Sequence, residues 1–231
     1  MKISRLYFLM LGLLGSLGLL GSTSSLFANR DWPKITKLEN GCYQFDGVII
    51  DKKNLQIKFE MISNQRSGLI EYGIVHEGGK IHESLFRTKT RPEIIHASLL
   101  LLKAKAVEDY FQSENNLSND YSASCVDVHI VWESNQSLQK LNLRKLYYNQ
   151  NSQGEHPEPP FFLFTGSRLV EATFMAEHTG SILAVYLDPD AILNSIESES
   201  DNDDLWLANK LTMPPLEKEV TCVLQLPPLL P

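Results

Sequence analysis

The chain has 231 residues, of which 43% are hydrophobic, and it carries a formal net charge of −7 at pH 7. A chain of this length can bury a sizeable core as one domain. Its acidic balance argues against nucleic-acid binding, because neutralising phosphates requires clustered lysine and arginine side chains. We therefore expect a folded, acidic protein with no nucleic-acid partner.

The first 28 residues have the order of a secretory signal peptide. Lys2 and Arg5 precede an almost wholly apolar run over residues 6–21, and small polar residues follow it. This arrangement predicts cleavage after Ala28, with a cut near residues 24–25 as the alternative. An uncleaved membrane anchor is the other interpretation, although the apolar run is shorter than the ~20 residues that span a bilayer comfortably.

Cleavage would leave residues 29–231 as a single domain, with its core at about residues 40–227. Loss of Lys2 and Arg5 takes the net charge from −7 to −9, and no later apolar segment is long enough to span a bilayer. The sequence therefore predicts an exported protein, periplasmic or secreted, whose partner is an unknown small ligand or an envelope protein.

The three cysteines, Cys42, Cys125 and Cys222, lie far apart in the sequence, so no CxxC motif for a metal or redox site exists. In an oxidising compartment they would form either one disulfide with a thiol left over or three buried free thiols. We predict no cofactor.

Most of the chain predicts short strands, because alternating or apolar-rich runs are separated by turn residues. The runs are 43–50, 54–63, 69–76, 126–133, 143–148, 161–165, 170–176, 182–187 and 219–226. Gly78 and Gly79 predict a two-residue hairpin turn, since paired glycines accept the positive φ of such turns. Residues 80–87 would then return antiparallel to residues 69–76.

One helix is predicted at about residues 91–108. Thr90 and Glu93 have the spacing of a capping box, and Pro92 falls in the first turn, where its missing N–H costs nothing. Apolar side chains cover nearly all faces of this helix, which indicates burial on several sides. The predicted fold class is therefore α+β, with mostly antiparallel β-sheets and one central buried helix. Residues 188–195 are a candidate for a second short helix.

The predicted hairpin would bring together side chains that can carry chemistry. With Gly78 and Gly79 as its loop, His82 and Ser84 share a face with Glu71. These three could form a carboxylate–imidazole–hydroxyl relay. The alternative is a polar face exposed to solvent, because no nucleophile elbow accompanies the serine.

Glu83 falls between Ile81 and Leu85 on the face that we predict to be the core. A buried carboxylate must be paired or hydrogen-bonded, or else have a raised pKa. We predict that Glu83 is buried and satisfied in a structural role, with general acid–base work or metal binding as the functional alternative.

His96 lies on the narrow polar stripe of the predicted helix. With His82 and Glu83 it could complete a divalent-metal site, although no HExxH or paired-histidine spacing supports one. The alternative is a structural helix histidine. Because the connector before the helix is short, we expect the helix to pack against the hairpin and His96 to lie near the strand of His82 and Ser84.

The connector alternates cations and hydroxyls just before the helix. Arg87, Lys89 and Arg91 would lie on one side of an extended backbone, beside unsatisfied helix N–H groups, as a candidate anion-binding site. A solvated loop that balances nearby acids is the alternative. The acidic run at residues 197–204 lacks the glycine and distal glutamate of a calcium loop, so it predicts an exposed loop.

Four segments in this order resemble the YdjY-like domain family of exported bacterial proteins. They are EYGIVHEGGKIHESL (71–85), IIHASLLLLKAKAVE (94–108), FFLFTGSRL (161–169) and NKLTMPPLEKEVTCVLQLP (209–227). The positions that match the family pattern are Lys80, His82, Glu83, Ser84, His96, Ala97, Phe164, Gly166 and Ser167. Residues 103–107 replace the Gly-x-x-Pro-Gly that usually follows the family's helix, which predicts a longer helix here.

The resemblance implies family membership but no reaction. Some members look fused to iron–sulfur modules, but this chain has no cysteine cluster to hold one. We therefore interpret the chain as a non-catalytic ligand- or partner-binding module of the cell envelope. Its candidate functional patch consists of His82, Glu83, Ser84 and His96. The alternative is a metal-dependent or acid/base enzyme, hydrolase-like, that uses the region of His82, Glu83 and His96.

Overall fold

Strands make up most of the regular structure. The computed structural model describes residues 32–107, 109–112, 121–152, 161–197 and 199–228, and from Lys34 onward these belong to one compact unit. The strands are β1 (Ile35–Lys37), β2 (Tyr43–Phe45), β3 (Val48–Asp51), β4 (Gln56–Ser63), β5 (Tyr72–His76), β6 (Ser84–Thr88), β7 (Cys125–Ser134), β8 (Ser137–Asn142), β9 (Tyr147–Asn149), β10 (Phe161–Phe164), β11 (Leu169–Val170), β12 (Thr173–Phe174), β13 (Ser181–Ala184), β14 (Leu193–Asn194), β15 (Trp206–Ala208) and β16 (Glu219–Gln225). The α-helices are α1 (Pro92–Leu101) and α2 (Met175–Thr179). No helix within the described residues is long and apolar enough to cross a membrane.

Eight of the strands close into a barrel. Their order around the ring is β4–β16–β7–β10–β14–β13–β5–β6, and β6 pairs with β4 to complete it. The strands β3, β2 and β1 extend from β4, and β8 pairs with β7. Separate two-stranded sheets form from β11 with β12 and from β9 with β15. Closure pairs strands that would otherwise present free edges, and it fixes an inside and an outside for every strand.

Alternating side chains fill the inside of this barrel. In β4, Ile57, Phe59 and Met61 are buried, whereas the residues between them are not. Cys222 of β16 lies directly opposite Phe59 on one side and Ile130 of β7 on the other. Directly opposite residues project to the same face of a sheet. The alternation predicted from the sequence in these three strands therefore builds one apolar layer.

The predicted α+β class is wrong, because the protein is mostly β and has a closed eight-stranded barrel in place of sheets around a central helix.

The helix predicted at about 91–108 is also shorter, since α1 ends at Leu101 and Lys103 has a left-handed φ of 67°. A left-handed residue ends a helix. Beyond it, the Val107 N–H donates to the Phe164 carbonyl of β10 at 2.9 Å. This distant acceptor draws the chain away from the helix axis.

The start of α1 differs from the predicted capping box. Arg91 occupies the N-cap position, and no side-chain cap bond forms there. The Glu93 N–H donates instead to the Glu177 carboxylate of α2, at 3.1 Å. A tertiary contact thus satisfies the helix N-terminus in place of the local one. Residues 188–195, the candidate second helix, form a turn followed by β14.

The predicted hairpin is wrong as well, because β5 and β6 run parallel, with Tyr72 opposite Ser84. Neither Gly78 nor Gly79 has the positive φ that the predicted two-residue turn requires. Gly79 serves close packing instead, since a Cβ there would lie 2.8 Å from the Thr179 carbonyl oxygen. The connection between the two strands contains a 3-10 turn at Ile81–Glu83.

The cysteines form no disulfide in this structure, so Cys42, Cys125 and Cys222 are thiols. Cys222 lies in the barrel interior, and burial raises the pKa of its thiol well above the ordinary value. This thiol therefore acts as a small apolar side chain in the core.

Candidate functional site

The Ile81–Glu83 turn presents His82 to solvent, with 77% of its side chain exposed. Ile81 is exposed beside it. The Asn64 side chain holds the turn by two hydrogen bonds. Its Nδ2 donates to the Ile81 carbonyl at 2.5 Å and to the Ser84 carbonyl at 2.9 Å. These bonds hold the turn in one shape before anything binds to it.

Ser84 is fully buried at the base of this turn. Its Oγ donates to the Ile81 carbonyl at 3.2 Å and accepts from Asn64 at 3.4 Å. A nucleophilic hydroxyl must instead reach the substrate and bond to its base. Among the described residues, no hydrogen bond joins Ser84 to Glu71 or His82, so the predicted relay is not assembled.

Lys80 connects the turn to a group of acidic side chains. Its Nζ donates to the Tyr72 hydroxyl at 2.9 Å and lies 3.5 Å from a carboxylate oxygen of both Glu71 and Glu83. The Tyr72 hydroxyl donates in turn to Asp188 Oδ2 at 2.9 Å. We refer to these five residues as the Lys80 cluster.

The electrostatics of the Lys80 cluster follow from its partial burial. Burial raises the pKa of Glu71, and the charge of Glu83 raises it further, while Lys80 opposes both. Burial works against the charged form of Lys80, but its bond to Tyr72 and the two glutamates raise its pKa above the ordinary value. The ammonium group therefore stays charged at neutral pH, and the cluster contains three carboxyl groups but only this one cation.

Glu83 is half-buried rather than buried as predicted. One carboxylate oxygen lies 3.5 Å from Lys80 Nζ, and the other lies 3.6 Å from His82 Nε2. The prediction assumed a regular strand in which Ile81, Glu83 and Leu85 share the core face. The 3-10 turn breaks that alternation, so Ile81 and Glu83 rotate outward while Leu85 stays buried.

His96 has surroundings unlike those of His82. It is buried on α1, where its ring packs against the rings of Phe164 and Phe174, with centroids 5.4 and 5.0 Å away. Burial lowers the pKa of His96 to about 4. In the part of the chain that the structure describes, no hydrogen bond or ion pair joins His96 to His82, Glu83 or Ser84.

The candidate metal ligands do not converge. Within the described ranges, no group of three or more His, Cys, Asp or Glu side chains could hold a metal ion. His82, Glu83 and His96 therefore do not form the divalent-metal site that the sequence left open.

Two of the three cations in the candidate anion site already have carboxylate partners. Arg87 bonds to both carboxylate oxygens of Glu217, at 2.6 and 3.1 Å. Arg91 Nε donates to Glu177 Oε1 at 2.9 Å. Lys89 is exposed. These pairs favour the alternative in which the connector balances nearby acids.

A second charged cluster, which no motif indicated, lies in the core. Arg144 contacts Glu197 at 2.5 Å, and their side chains are only 3% and 2% exposed. The Tyr147 hydroxyl donates to Glu197 Oε1 at 3.0 Å, and Ser195 lies beside the same oxygen. We call these four residues the Glu197 cluster. The acidic run that was predicted as an exposed loop therefore begins with a buried residue.

Comparison with known families identifies the family of the chain. A sequence profile of the YdjY domain matches residues 48–225. The chain belongs to the YdjY domain family. No curated protein and no solved structure matches it significantly. The matched residues run from β3 to β16, so they include the barrel and the Lys80 cluster, and they confirm the resemblance seen in the sequence.

In this YdjY domain, the motif residues Gly166 and Ser167 have a structural explanation. Both adopt a left-handed backbone, with φ values of 85° and 64°. A Cβ at Gly166 would lie 2.8 Å from the Ala106 Cβ and 3.6 Å from His96 Nε2. The Ser167 Oγ accepts the Ala176 N–H of α2 at 3.0 Å. The glycine–serine pair thus closes the surroundings of His96 and anchors α2.

The YdjY motif positions therefore divide into two sets. Ser84, His96 and Gly166 are buried and explained by packing or hydrogen bonds. His82 is exposed, and its Nε2 lies 3.6 Å from the Glu83 carboxylate. The contact between Tyr72, which accepts a hydrogen bond from Lys80, and Asp188 could not be predicted from the sequence, because the two residues lie 116 positions apart and follow no local spacing.

Proposed function

We propose that this YdjY domain is an exported, non-catalytic module that binds another envelope protein through the Ile81–Glu83 turn. The observation that carries the proposal is the exposed position of His82 and Ile81 on a backbone that Asn64 holds in place. Because the turn is already ordered, a partner that covers it loses little free energy in fixing its shape.

The exposure of His82 favours a protein over a small molecule. Small-ligand sites are concave and bury most of the ligand. A small molecule that contacted the largely exposed His82 side chain would itself stay mostly in solvent. A protein partner can cover the histidine, the isoleucine and their surroundings together.

The charges beside the turn indicate which surface the partner presents. Glu71 and Glu83 lie beside the single ammonium of Lys80, and Asp188 is connected to it through the Tyr72 hydroxyl. This excess of carboxylates favours a partner with basic side chains, because complementary potentials speed association and suppress wrong partners.

The placement of the reactive side chains supports binding over the enzyme alternative. The Ser84 hydroxyl is buried and donates to a backbone carbonyl, and His96 is enclosed by aromatic rings. Both side chains are buried, whereas His82 is exposed. A catalytic site requires its acid, base and nucleophile to meet at one reacting atom.

Site-specific photocrosslinking in cells that export the protein tests this proposal. A photoreactive amino acid at position 82 should give a discrete crosslinked product, whereas the same amino acid at position 138, where the natural leucine is 76% exposed, should not. The product should weaken when Ile81 is changed to Asp, because a charge would be forced into the interface. Products at both positions, or at neither, contradict the proposal.

Export is tested in the same cells by fractionation and N-terminal sequencing. The mature protein should be found outside the cytoplasm and begin near Asn29, because the leader is removed during translocation. An intact Met1 on cytoplasmic protein contradicts this part of the proposal.

A further inference from the structure

A second surface of this domain is formed by β15 and its two neighbours. Leu207 of β15 lies opposite Tyr148 of β9 and forms a β-bridge with Leu69 on its other side. Opposed residues of antiparallel strands project to the same face. Their chain neighbours Trp206 and Ile70 are buried. The row Leu69–Leu207–Tyr148 therefore faces outward.

Tyr148 and Leu207 of this row line an open groove. The groove has a volume of about 410 Å³, and Leu211 rises at its rim with 95% of its surface exposed. Leu69 is exposed at the end of the row. We call Leu69, Tyr148, Leu207 and Leu211 the leucine surface. Contiguous exposed apolar side chains of this kind mark interaction sites more often than isolated ones do.

Cationic residues lie in and next to the groove. Lys210 lines the groove, and a terminal nitrogen of Arg66 donates to the Lys210 carbonyl at 3.2 Å. Lys145 adjoins the same loop, because its carbonyl accepts the Thr212 hydroxyl at 2.6 Å. None of these three cations forms an ion pair with a carboxylate from the described parts of the chain. Among the described residues that line the groove, none is acidic.

We propose that the leucine surface binds an acidic, leucine-containing segment of a partner protein. Apolar side chains of the segment would enter the groove over Leu207, and its carboxylates would meet Arg66, Lys145 and Lys210. In a chain with a net charge of −7, this unpaired local excess of positive charge selects an anionic partner. The proposal does not depend on the role of the His82 turn.

The groove favours a protein segment over an anionic lipid surface. The groove accepts a protruding side chain between the Leu207 row and the rim at Leu211. Binding to a lipid surface depends instead on the apolar area inserted among the headgroups. A second copy of this chain, which is itself acidic, is the third candidate occupant of the groove. Each of these occupants gives a distinct experimental result.

The experiment selects binders from a random peptide library against the purified mature protein, residues 29–231. The selected peptides should combine aspartate or glutamate with leucine or related apolar residues. Lys210→Glu and Leu211→Ser should each weaken their binding about tenfold, and added salt should weaken it further. Lys53→Glu and Leu138→Ser make the same chemical changes at exposed positions elsewhere and should leave binding unchanged.

Selected peptides without acidic residues, or equal binding to the wild type and Lys210→Glu, would overturn the proposal. Two further measurements assign the surface if that happens. Binding to phosphatidylglycerol vesicles that Lys210→Glu abolishes would assign it to a membrane. A dimer in analytical ultracentrifugation that Leu211→Ser dissociates would assign it to a second copy of the chain.

Discussion

The Lys80 cluster and the Glu197 cluster use similar groups in opposite settings. Lys80 lies 3.5 Å from Glu71 and from Glu83, and all three side chains reach solvent. Arg144 lies 2.5 Å from Glu197, and both are enclosed in the core. An exposed ion pair contributes at most about 1 kcal/mol. Breaking a buried pair costs about 3–5 kcal/mol, because one charge is left without a partner.

Substitutions in the two clusters should therefore affect different properties: the stability of the fold in one cluster and the binding of a partner in the other. Changes in the Glu197 cluster should act mainly on the free energy of unfolding. Changes at the outer edge of the Lys80 cluster should leave the fold intact and alter only what the turn contacts.

Arg144→Met should lower the free energy of unfolding by about 3–5 kcal/mol, because it leaves the Glu197 carboxylate buried without its cation. Urea denaturation followed by tryptophan fluorescence measures the change. The matched control is the double variant Arg144→Met/Glu197→Leu, which removes both charges and should recover most of the loss. A single variant as stable as the wild type, or a double variant no more stable than the single one, contradicts the prediction.

His96, like the Glu197 cluster, is a buried ionisable group, and it is packed against aromatic rings. It should therefore affect the free energy of unfolding. Its folded pKa of about 4 lies below the ordinary value of 6.5, so below pH 6.5 the unfolded chain binds a proton that the folded chain does not. The contribution of the neutral His96 ring to the free energy of unfolding is therefore fully present above pH 6.5. As the pH falls towards 4 it should be lost, by roughly 3 kcal/mol in total.

Urea unfolding of the wild type and His96→Leu between pH 7.5 and 4.5 measures this loss. Leucine cannot be protonated, and both proteins share their other titrating groups, so the difference between their free energies of unfolding isolates His96. The wild type should lose stability relative to the variant as the pH falls. A difference that stays constant across this range contradicts the prediction.

The strands could be predicted where local alternation decides them, as in β4, β7 and β16. Barrel closure could not, because it depends on pairings such as Ile62 with Arg87. The parallel pairing of β5 and β6 was hidden by Gly78 and Gly79, whose dipeptide is typical of a hairpin turn. Gly79 instead packs against the backbone of residues 179–180, a contact that no local sequence pattern shows.

The candidate site was predictable only in part. The motif drew attention to His82 and Glu83, which do contact each other on the surface. It did not separate them from Ser84 and His96, because a motif gives no information on burial. The partners of Lys80 and Glu197 come from distant segments, so their clusters exist only in the folded chain.

Tyr72→Phe tests the buried edge of the Lys80 cluster. The tyrosine hydroxyl accepts from Lys80 and donates to Asp188, both at 2.9 Å. Its removal should lower the free energy of unfolding by about 1–2 kcal/mol, because the ring still fills its site while two hydrogen bonds are lost. Thermal and urea unfolding measure the change. Asp188→Asn, which keeps an acceptor for the hydroxyl, should cost less, and a larger loss for Asp188→Asn would place the stabilisation in the carboxylate charge instead.

Glu83→Gln should have the smallest effect on folding, below about 1 kcal/mol, because its ion pair with Lys80 and its contact with His82 are long and reach solvent. Glu83→Leu and Glu83→Ala should unfold within about 0.5 kcal/mol of each other, since a half-buried side chain leaves no closed cavity when it is shortened. All three variants should nevertheless weaken the crosslink formed at position 82, because the carboxylate adjoins that turn. If the leucine variant proves much more stable than the alanine variant, Glu83 acts as a core residue, as the Glu197 cluster does. The proposed difference between the two clusters, stability in one and binding in the other, would then be wrong.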